Sequence, residues 1–140
     1  MNKKILVVED DPSALRLIQY TLQYEGYEVL TATNGLAGLK KAQNEEPDLV
    51  ILDVMLPGMD GFEICHRLRG EPQTADLPIL MLSAKAQEAD KITGLKVGAD
   101  DYVTKPADTA EIIRRVERLL AQKAAAGSKR TAQHITGDKQ

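Results

Sequence analysis

Short apolar stretches and helical hydrophobic patterns alternate along the chain. The apolar stretches predict five strands, at residues 5–8, 29–33, 49–52, 78–82 and 102–103. Between the first two, Leu15, Ile18 and Leu22 recur at helical spacing, and Gly26 ends that helix. Strands that are apolar throughout are typical of a parallel sheet covered by helices on both faces. The pattern therefore predicts an α/β fold, a doubly wound five-stranded parallel sheet.

The apolar pattern stops near Lys123. Residues 124–128 read Ala-Ala-Ala-Gly-Ser, and mainly polar residues follow as far as Gln140. This composition is typical of linkers and terminal segments. We therefore predict a domain over residues 1–122 and a flexible tail or linker over residues 123–140.

Composition and charge exclude several classes of protein. The 140 residues suit one domain, and a hydrophobic fraction of 43% is enough for a core. A net charge of −3 gives no reason to expect nucleic-acid or membrane binding, and no apolar run approaches the roughly 18 residues of a membrane span. Cys65 is the only cysteine, which excludes an internal disulfide. We expect a cytoplasmic protein.

Four of the predicted strands are followed by residues that carry chemistry: Glu9-Asp10-Asp11, Asp53, Ser83 and Thr104-Lys105-Pro106. In an open parallel sheet the carboxyl ends of the strands form one edge, where ligands bind. Clustered carboxylates repel one another unless a cation joins them, and an all-oxygen set of this kind suits Mg²⁺. A carboxylate beside a cation, a lysine and a hydroxyl is suited to phosphoryl transfer, and it can itself be the nucleophile.

These motifs, taken together, resemble the receiver domain of two-component response regulators, over residues 1 to about 122. The matching stretches are ILVVEDD at 5–11, LVILDVMLPGMDG at 49–61, LMLSA at 80–84 and GADDYVTKP at 98–106. The resemblance implies a flavodoxin-like fold with strand order 2-1-3-4-5. That order places the first and third strands side by side, as a site shared by Asp10 and Asp53 requires.

The resemblance also implies a function and a metal site. Asp53 would accept a phosphoryl group from a sensor histidine kinase or a phosphotransfer protein, and the chain would act as a signalling switch. Asp10 would bind Mg²⁺ directly, for which Mn²⁺ can substitute, and Glu9 would act through water. The third protein ligand would be the backbone carbonyl of Met55. The family usually has aspartate where this chain has Glu9.

Three more residues take roles by resemblance. Lys105 would contact a phosphoryl oxygen, and the peptide bond between Lys105 and Pro106 would be cis. The Ser83 hydroxyl would move to bond the phosphoryl group. Tyr102 would be the rotating aromatic residue of the switch. Asp11 receives a structural role instead. It precedes a proline, which favours the first helical position, so we predict that Asp11 is the N-cap of the first helix.

Two other classes of protein share parts of this pattern. A phosphatase of the haloacid-dehalogenase type has a second aspartate two residues after its nucleophile, but here that residue is Met55, which cannot transfer protons. A flavin-binding electron carrier of this topology has a first loop rich in Ser, Thr and Gly, but here the loop is acidic. We therefore expect a receiver domain with only self-catalysed phosphoryl acceptance and slow hydrolysis of the aspartyl phosphate.

The resemblance extends to one surface. Charges on the fourth helix, fifth strand and fifth helix are similar to those of regulators that dimerise through this face, so phosphorylation would favour a homodimer. The residues concerned are Lys91, Asp101, Glu111 and Arg115. Lys91 would pair with Glu111, and Asp101 with Arg115, across the two subunits. We expect no direct contact of this domain with nucleic acid or membrane.

Overall fold

The computed structural model describes the backbone of residues 2–138 and the side chains of residues 2–126. Strands and helices alternate without exception in this part of the chain. The strands are β1 (Lys4–Val8), β2 (Glu28–Ala32), β3 (Leu49–Leu52), β4 (Ile79–Ser83) and β5 (Asp101–Thr104). The helices are α1 (Pro12–Tyr24), α2 (Gly35–Asn44), α3 (Gly61–Arg69), α4 (Glu88–Lys96) and α5 (Thr109–Asp138).

The five strands form one parallel sheet in the order β2-β1-β3-β4-β5. Val8 of β1 is in register with Ala32 of β2 on one side and with Leu52 of β3 on the other. Strand β2 therefore lies on one side of β1, and β3, β4 and β5 lie on the other side. This strand order confirms the predicted fold.

Each face of the sheet has its own hydrophobic core. Successive residues of a strand point to opposite faces, so Leu6 packs with the core that includes residues of α2 and α3, whereas Ile5 packs with the core that includes residues of α1 and α5. All residues of β3 and β4 are buried, because helices cover both faces there. The continuous apolar runs in the sequence are the consequence of this double cover.

Polar side chains and glycines fix the ends of the helices. The side chains of Asp11, Asn34 and Asp60 each accept a hydrogen bond of 2.9 Å from the backbone N–H three residues later, at the starts of α1, α2 and α3. The predicted capping role of Asp11 is therefore confirmed. Helix α4 differs, because its N-cap residue Gln87 makes no capping bond from its side chain. Gly98, two residues after the end of α4, has a φ of 115°, in the region that favours glycine.

Helix α5 continues past the point where the apolar pattern ends. Its backbone is helical to Asp138, and the Lys123 ammonium donates a hydrogen bond of 2.9 Å to the carbonyl oxygen of Asp76. Alanine has the highest intrinsic helix propensity, so the alanines at 124–126 favour a helix without an apolar face. The domain boundary at residue 122 and the linker role of 123–140 stay predictions, and the side chains of 127–140 lie outside the described residues. Within the described chain, no helix is both long and apolar enough to cross a membrane.

Candidate functional site

The predicted site lies at the carboxyl edge of the sheet, where β1 and β3 end side by side. The backbone N–H of Asp53 donates a hydrogen bond of 3.1 Å to the carbonyl oxygen of Val8, so Asp53 continues the pairing of the two strands by one residue. Glu9 follows Val8 directly, and its backbone N–H bonds to Ala32 of β2 at 3.0 Å. The parallel register thus brings residues that are 44 positions apart in the sequence to the same point in space.

Three carboxylates meet there. One side-chain oxygen from each of Glu9, Asp10 and Asp53 can be chosen so that all lie within 4.8 Å of one another. Glu9 is 2% exposed and Asp53 is 6% exposed, whereas Asp10 lies at the surface. The cluster therefore has a buried floor of two carboxylates and one carboxylate open to solvent.

Lys105 joins the two buried carboxylates. Its ammonium bonds to Oε1 of Glu9 and lies 3.1 Å from Oδ2 of Asp53. The backbone N–H of Lys105 donates to the carbonyl oxygen of Ser83 at 2.8 Å, which holds this segment against the end of β4. The bond between Lys105 and Pro106 is cis, as predicted. The family resemblance implies that Lys105 contacts a phosphoryl oxygen, but the sequence carries no signal for its bond to Glu9.

The charges in the cluster alter the acidity of its members. Burial raises the pKa of the Glu9 carboxyl group; its bond to Lys105 opposes the rise, and the neighbouring Asp53 adds to it. Burial by itself would lower the pKa of the Lys105 ammonium, but its bonds to Glu9 and Asp53 outweigh that effect and the pKa is raised. Lys105 is therefore held firmly in its charged form.

The cluster has the chemistry of a site for a hard divalent cation. Three carboxylates and one ammonium leave two formal negative charges in excess, and all the side-chain donors are oxygens. The backbone of Met55, the predicted third ligand, lies beside the cluster, since its N–H donates to Oδ1 of Asp53 at 3.1 Å. The Met55 side chain is 55% exposed. These residues fit Mg²⁺.

Ser83 and Tyr102 meet at the start of the loop after β4. Ser83 is fully buried, and its hydroxyl oxygen accepts a bond of 3.2 Å from the backbone N–H of Lys85. The Tyr102 ring is buried too, and its hydroxyl donates a bond of 2.7 Å to the carbonyl oxygen of Lys85. Both predicted switch residues are thus attached to the backbone of Lys85. Because backbone atoms do not depend on the side chain, the sequence carried no signal for this link.

A glycine makes room for the Tyr102 ring. A Cβ on Gly94 of α4 would lie 2.8 Å from Cδ2 of Tyr102 and 3.0 Å from the sulfur of Met81. Both distances are shorter than ordinary contacts between carbon or sulfur atoms and a methyl group. The buried position of Tyr102 thus depends on the missing side chain at Gly94.

Three of the four predicted dimer residues, Asp101, Glu111 and Arg115, are joined within the chain. Asp101 accepts two bonds of 2.7 Å from Arg115 and one of 2.9 Å from Arg118. Glu111 accepts a bond of 2.7 Å from Nε of Arg115 and another from Arg114. Lys91 lies half-buried on α4. The pairing of Asp101 with Arg115 that we expected between subunits therefore occurs inside one subunit.

This network predicts a loss of stability in acid. Burial alone would raise the pKa of Asp101, but its bonds from Arg115, the Tyr102 backbone and Arg118 outweigh burial and lower the pKa. The resulting stability is fully present above the unfolded pKa of about 3.9 and disappears as the pH falls through the lower folded pKa. The difference in unfolding free energy between the parent and Arg115→Gln should therefore shrink as the pH falls below about 5.

Urea unfolding at a series of pH values measures this difference. Arg67→Gln is the control, because it removes the same charge from a surface pair with Glu63 on α3. Surface pairs of that kind contribute only about 0–1 kcal/mol. A deficit of Arg115→Gln that is the same at every pH would show that Asp101 is not stabilised by the guanidinium.

Comparison with known proteins gives the family. A family model described as the response regulator receiver domain matches residues 5–117. The chain is 54% identical over 120 residues to the alkaline phosphatase synthesis transcriptional regulatory protein PhoP of Bacillus subtilis. The matched region covers 86% of this chain and 49% of that protein. The chain spans about half the length of the curated relatives it matches.

Solved structures agree with this result. A CheY-like response regulator receiver domain protein from Methanospirillum hungatei has a TM-score of 0.85 at 28% identity, covering 90% of this chain and 99% of its own. The receiver domain of a sensor histidine kinase from Pseudomonas aeruginosa has a TM-score of 0.80 at 30% identity, covering 86% and 99%, and its structure has a magnesium ion coordinated in the active site cleft. The chain therefore belongs to the family of response regulator receiver domains.

Proposed function

We propose that this domain is a phosphorelay switch in which Asp53 accepts a phosphoryl group from a sensor histidine kinase or a phosphotransfer protein, with Mg²⁺ as cofactor. The observation that carries the proposal is the convergence of Glu9, Asp10 and Asp53 with the Lys105 ammonium at one edge of the sheet. Membership of the receiver family supports it, since such domains act in two-component signalling.

The arrangement suits an in-line attack by Asp53. A carboxylate oxygen of Asp53 forms a bond to phosphorus while the bond from phosphorus to the donor imidazole breaks, and the electron pair of that bond returns to the imidazole nitrogen. Oδ1 of Asp53 accepts a bond from the Met55 backbone and Oδ2 faces Lys105, so both oxygens are oriented before the donor arrives. Little reorganisation of the carboxylate is then needed during the reaction.

The remaining residues of the cluster neutralise charge. The Lys105 ammonium lies beside the acceptor carboxylate of Asp53. When its bond to Glu9 breaks, the ammonium can contact the incoming phosphoryl group. Glu9, Asp10, Asp53 and the carbonyl oxygen of Met55 would hold Mg²⁺, with Mn²⁺ as a substitute, and Glu9 would act through water. When bound, the ion neutralises negative charge on the phosphoryl oxygens.

Phosphorylation acts as a switch by favouring one of two conformations. The Ser83 hydroxyl hydrogen-bonds to the phosphoryl group. The oxygen of this same hydroxyl accepts a hydrogen bond from the backbone N–H of Lys85. The Tyr102 hydroxyl donates a hydrogen bond to the carbonyl oxygen of Lys85, so a shift of the loop after β4 would also move the Tyr102 ring. The chemistry at Asp53 thereby reaches the surface formed by α4 and β5.

The acyl phosphate is predicted to hydrolyse slowly, without enzymatic turnover of other substrates. The residue two positions after Asp53 is Met55, whose thioether has no hydrogen to donate and is a weak acceptor. It therefore cannot orient an attacking water. The same fact opposes a phosphatase mechanism, which needs a proton-transferring group at this position.

The output is proposed to lie outside this domain. Relatives of the chain are transcriptional regulatory proteins of which the matched region covers about half, so DNA contact in this protein would belong to a further segment. We place the domain in the cytoplasm, where a sensor histidine kinase phosphorylates its partner. Phosphorylation would favour a homodimer through Lys91, Asp101, Glu111 and Arg115. The exposed Ile92 and Leu95 of α4 would be covered in such a dimer.

Incubation with acetyl phosphate and Mg²⁺ tests the central proposal. The parent should gain one phosphoryl group, and Asp53→Asn should gain none, because an amide is not a nucleophile at phosphorus. Asp60→Asn is the matched control, since asparagine caps a helix as well as aspartate does and should preserve the start of α3. Intact-protein mass spectrometry measures the label. Labelling of Asp53→Asn at the parental level would refute the assignment.

Two neighbouring aspartates should differ in their effect on Mg²⁺ binding. Asp10→Ala removes a carboxylate of the cluster and should abolish most Mg²⁺ affinity, whereas Asp11→Ala removes a cap and should lower the unfolding free energy by about 1 kcal/mol with little change in affinity. Calorimetry measures the binding, because the chain has no tryptophan to report it. Equal losses of affinity in the two variants would contradict these roles.

Sedimentation of the protein treated with beryllofluoride, a mimic of the acyl phosphate, tests the dimer. The treated parent should dimerise at tens of micromolar, roughly the range of a weak Kd. Arg115→Glu should stay monomeric, and the control Arg67→Glu, on α3, should dimerise. A treated parent that remains monomeric would exclude the dimer, and dimerisation of Arg115→Glu would place the interface on another face.

A further inference from the structure

The loop between β3 and α3, residues 53–60, begins at the acceptor and carries the predicted carbonyl ligand. It closes on itself where the backbone N–H of Gly61 donates a bond of 2.9 Å to the carbonyl oxygen of Val54. A Cβ on Gly61 would lie 2.3 Å from the carbonyl oxygen of Asp53, so the closure requires a glycine. One end of the loop is thus fixed against the backbone of Asp53 itself.

The outer side of this loop rests on the first residue of α2. The backbone N–H of Gly35 donates a bond of 3.3 Å to the carbonyl oxygen of Pro57. A Cβ on Gly35 would lie 2.0 Å from the carbonyl oxygen of Met59 and 2.8 Å from its carbonyl carbon. These are backbone atoms, which cannot rotate away as a side chain could. The φ of Gly35 is not positive, so other residues could adopt its backbone conformation. The position requires glycine because there is no space for a side chain.

We infer that Gly35 is a positioning residue for the phosphoryl and metal site: its bare backbone lets the β3–α3 loop lie against α2 and so sets where the loop presents Met55 to the carboxylates. The inference rests on the proposed function. It extends the site beyond the strand ends, to a residue that touches neither phosphate nor metal.

Geometry connects Gly35 to the acceptor in few steps. Any side chain at position 35 must displace the backbone at Met59, and that backbone belongs to the short loop that runs back through Met55 to Asp53. The Met55 N–H bonds to Oδ1 of Asp53, so a moved loop changes both the carbonyl ligand and the orientation of the carboxylate. Residues that orient metal ligands typically change metal affinity by about 10- to 100-fold when mutated.

Gly35→Ala tests the inference. Its Mg²⁺ affinity, measured by calorimetry, should fall by about 10-fold or more. The Mg²⁺ concentration that half-saturates labelling by acetyl phosphate should rise in parallel, because the defect lies in placing the ligand. Hydrogen exchange of the peptide that contains residues 54–60 should be faster than in the parent, since the bond from Gly35 to Pro57 is strained or lost.

Ala42→Gly is the matched control. Ala42 lies on the same helix and is 2% exposed, and its replacement by glycine lowers helix propensity, but it is at the other end of α2 from the loop. Its Mg²⁺ affinity should stay close to that of the parent. If Ala42→Gly loses as much affinity as Gly35→Ala at equal loss of stability, the effect belongs to the helix as a whole and the inference is wrong.

A second variant decides the matter if Gly35→Ala does not fold. Met59→Ala inserts no atom, but it removes a side chain that packs the loop against the core, and its Mg²⁺ affinity should fall in the same direction. Parental Mg²⁺ affinity in the folded Gly35→Ala, or in Met59→Ala where it replaces that variant, would overturn the inference and leave the proposed function intact. A parent that binds no Mg²⁺ and accepts no phosphate would overturn both.

Discussion

The functional edge of this domain is governed by the repulsion between two buried carboxylates, Glu9 and Asp53, that the sheet holds side by side. Two carboxylates in a protein interior raise each other's proton affinity or require a cation between them. Here the Lys105 ammonium supplies one positive charge, which leaves the cluster still negative. The buried apolar strands β1 and β3 provide the rigidity that keeps the carboxylates together. The excess negative charge that remains fits a divalent cation, as the proposed function requires.

The sequence predicted those features that depend on local patterns and parallel topology. Alternating elements gave the α/β class, and the residues at the strand ends indicated which side chains would meet, because parallel strands share one edge. The Asp11 cap was recognisable from the proline that follows it. The link of Tyr102 to Lys85 was not predictable, since it ends on a carbonyl oxygen. The role of Gly35 was hidden for a similar reason, because only the folded backbone shows which space must stay empty.

Charge pairs were the least predictable feature of the surface. The charges of Asp101 and Arg115 are complementary, and complementary charges satisfy each other equally well within a chain or between chains. Helical spacing favours the local choice, since Glu111 and Arg115 are neighbours on one face of α5. A dimer that used Asp101 and Arg115 would exchange existing bonds for new ones, so its net gain would have to come from other parts of the interface, such as apolar area on α4.

The uncapped start of α4 has a consequence for how strain is distributed. Helices α1, α2 and α3 each begin with a side-chain bond, whereas α4 begins at Gln87 without one and buries only Gly94. A helix with few buried side chains and an unanchored end has a low free energy of local displacement. If the domain is deformed at the Lys85 backbone, we expect α4 to move more readily than the capped helices α1, α2 and α3. Among α1 to α4, the one helix without a side-chain cap therefore adjoins the residues assigned to the switch.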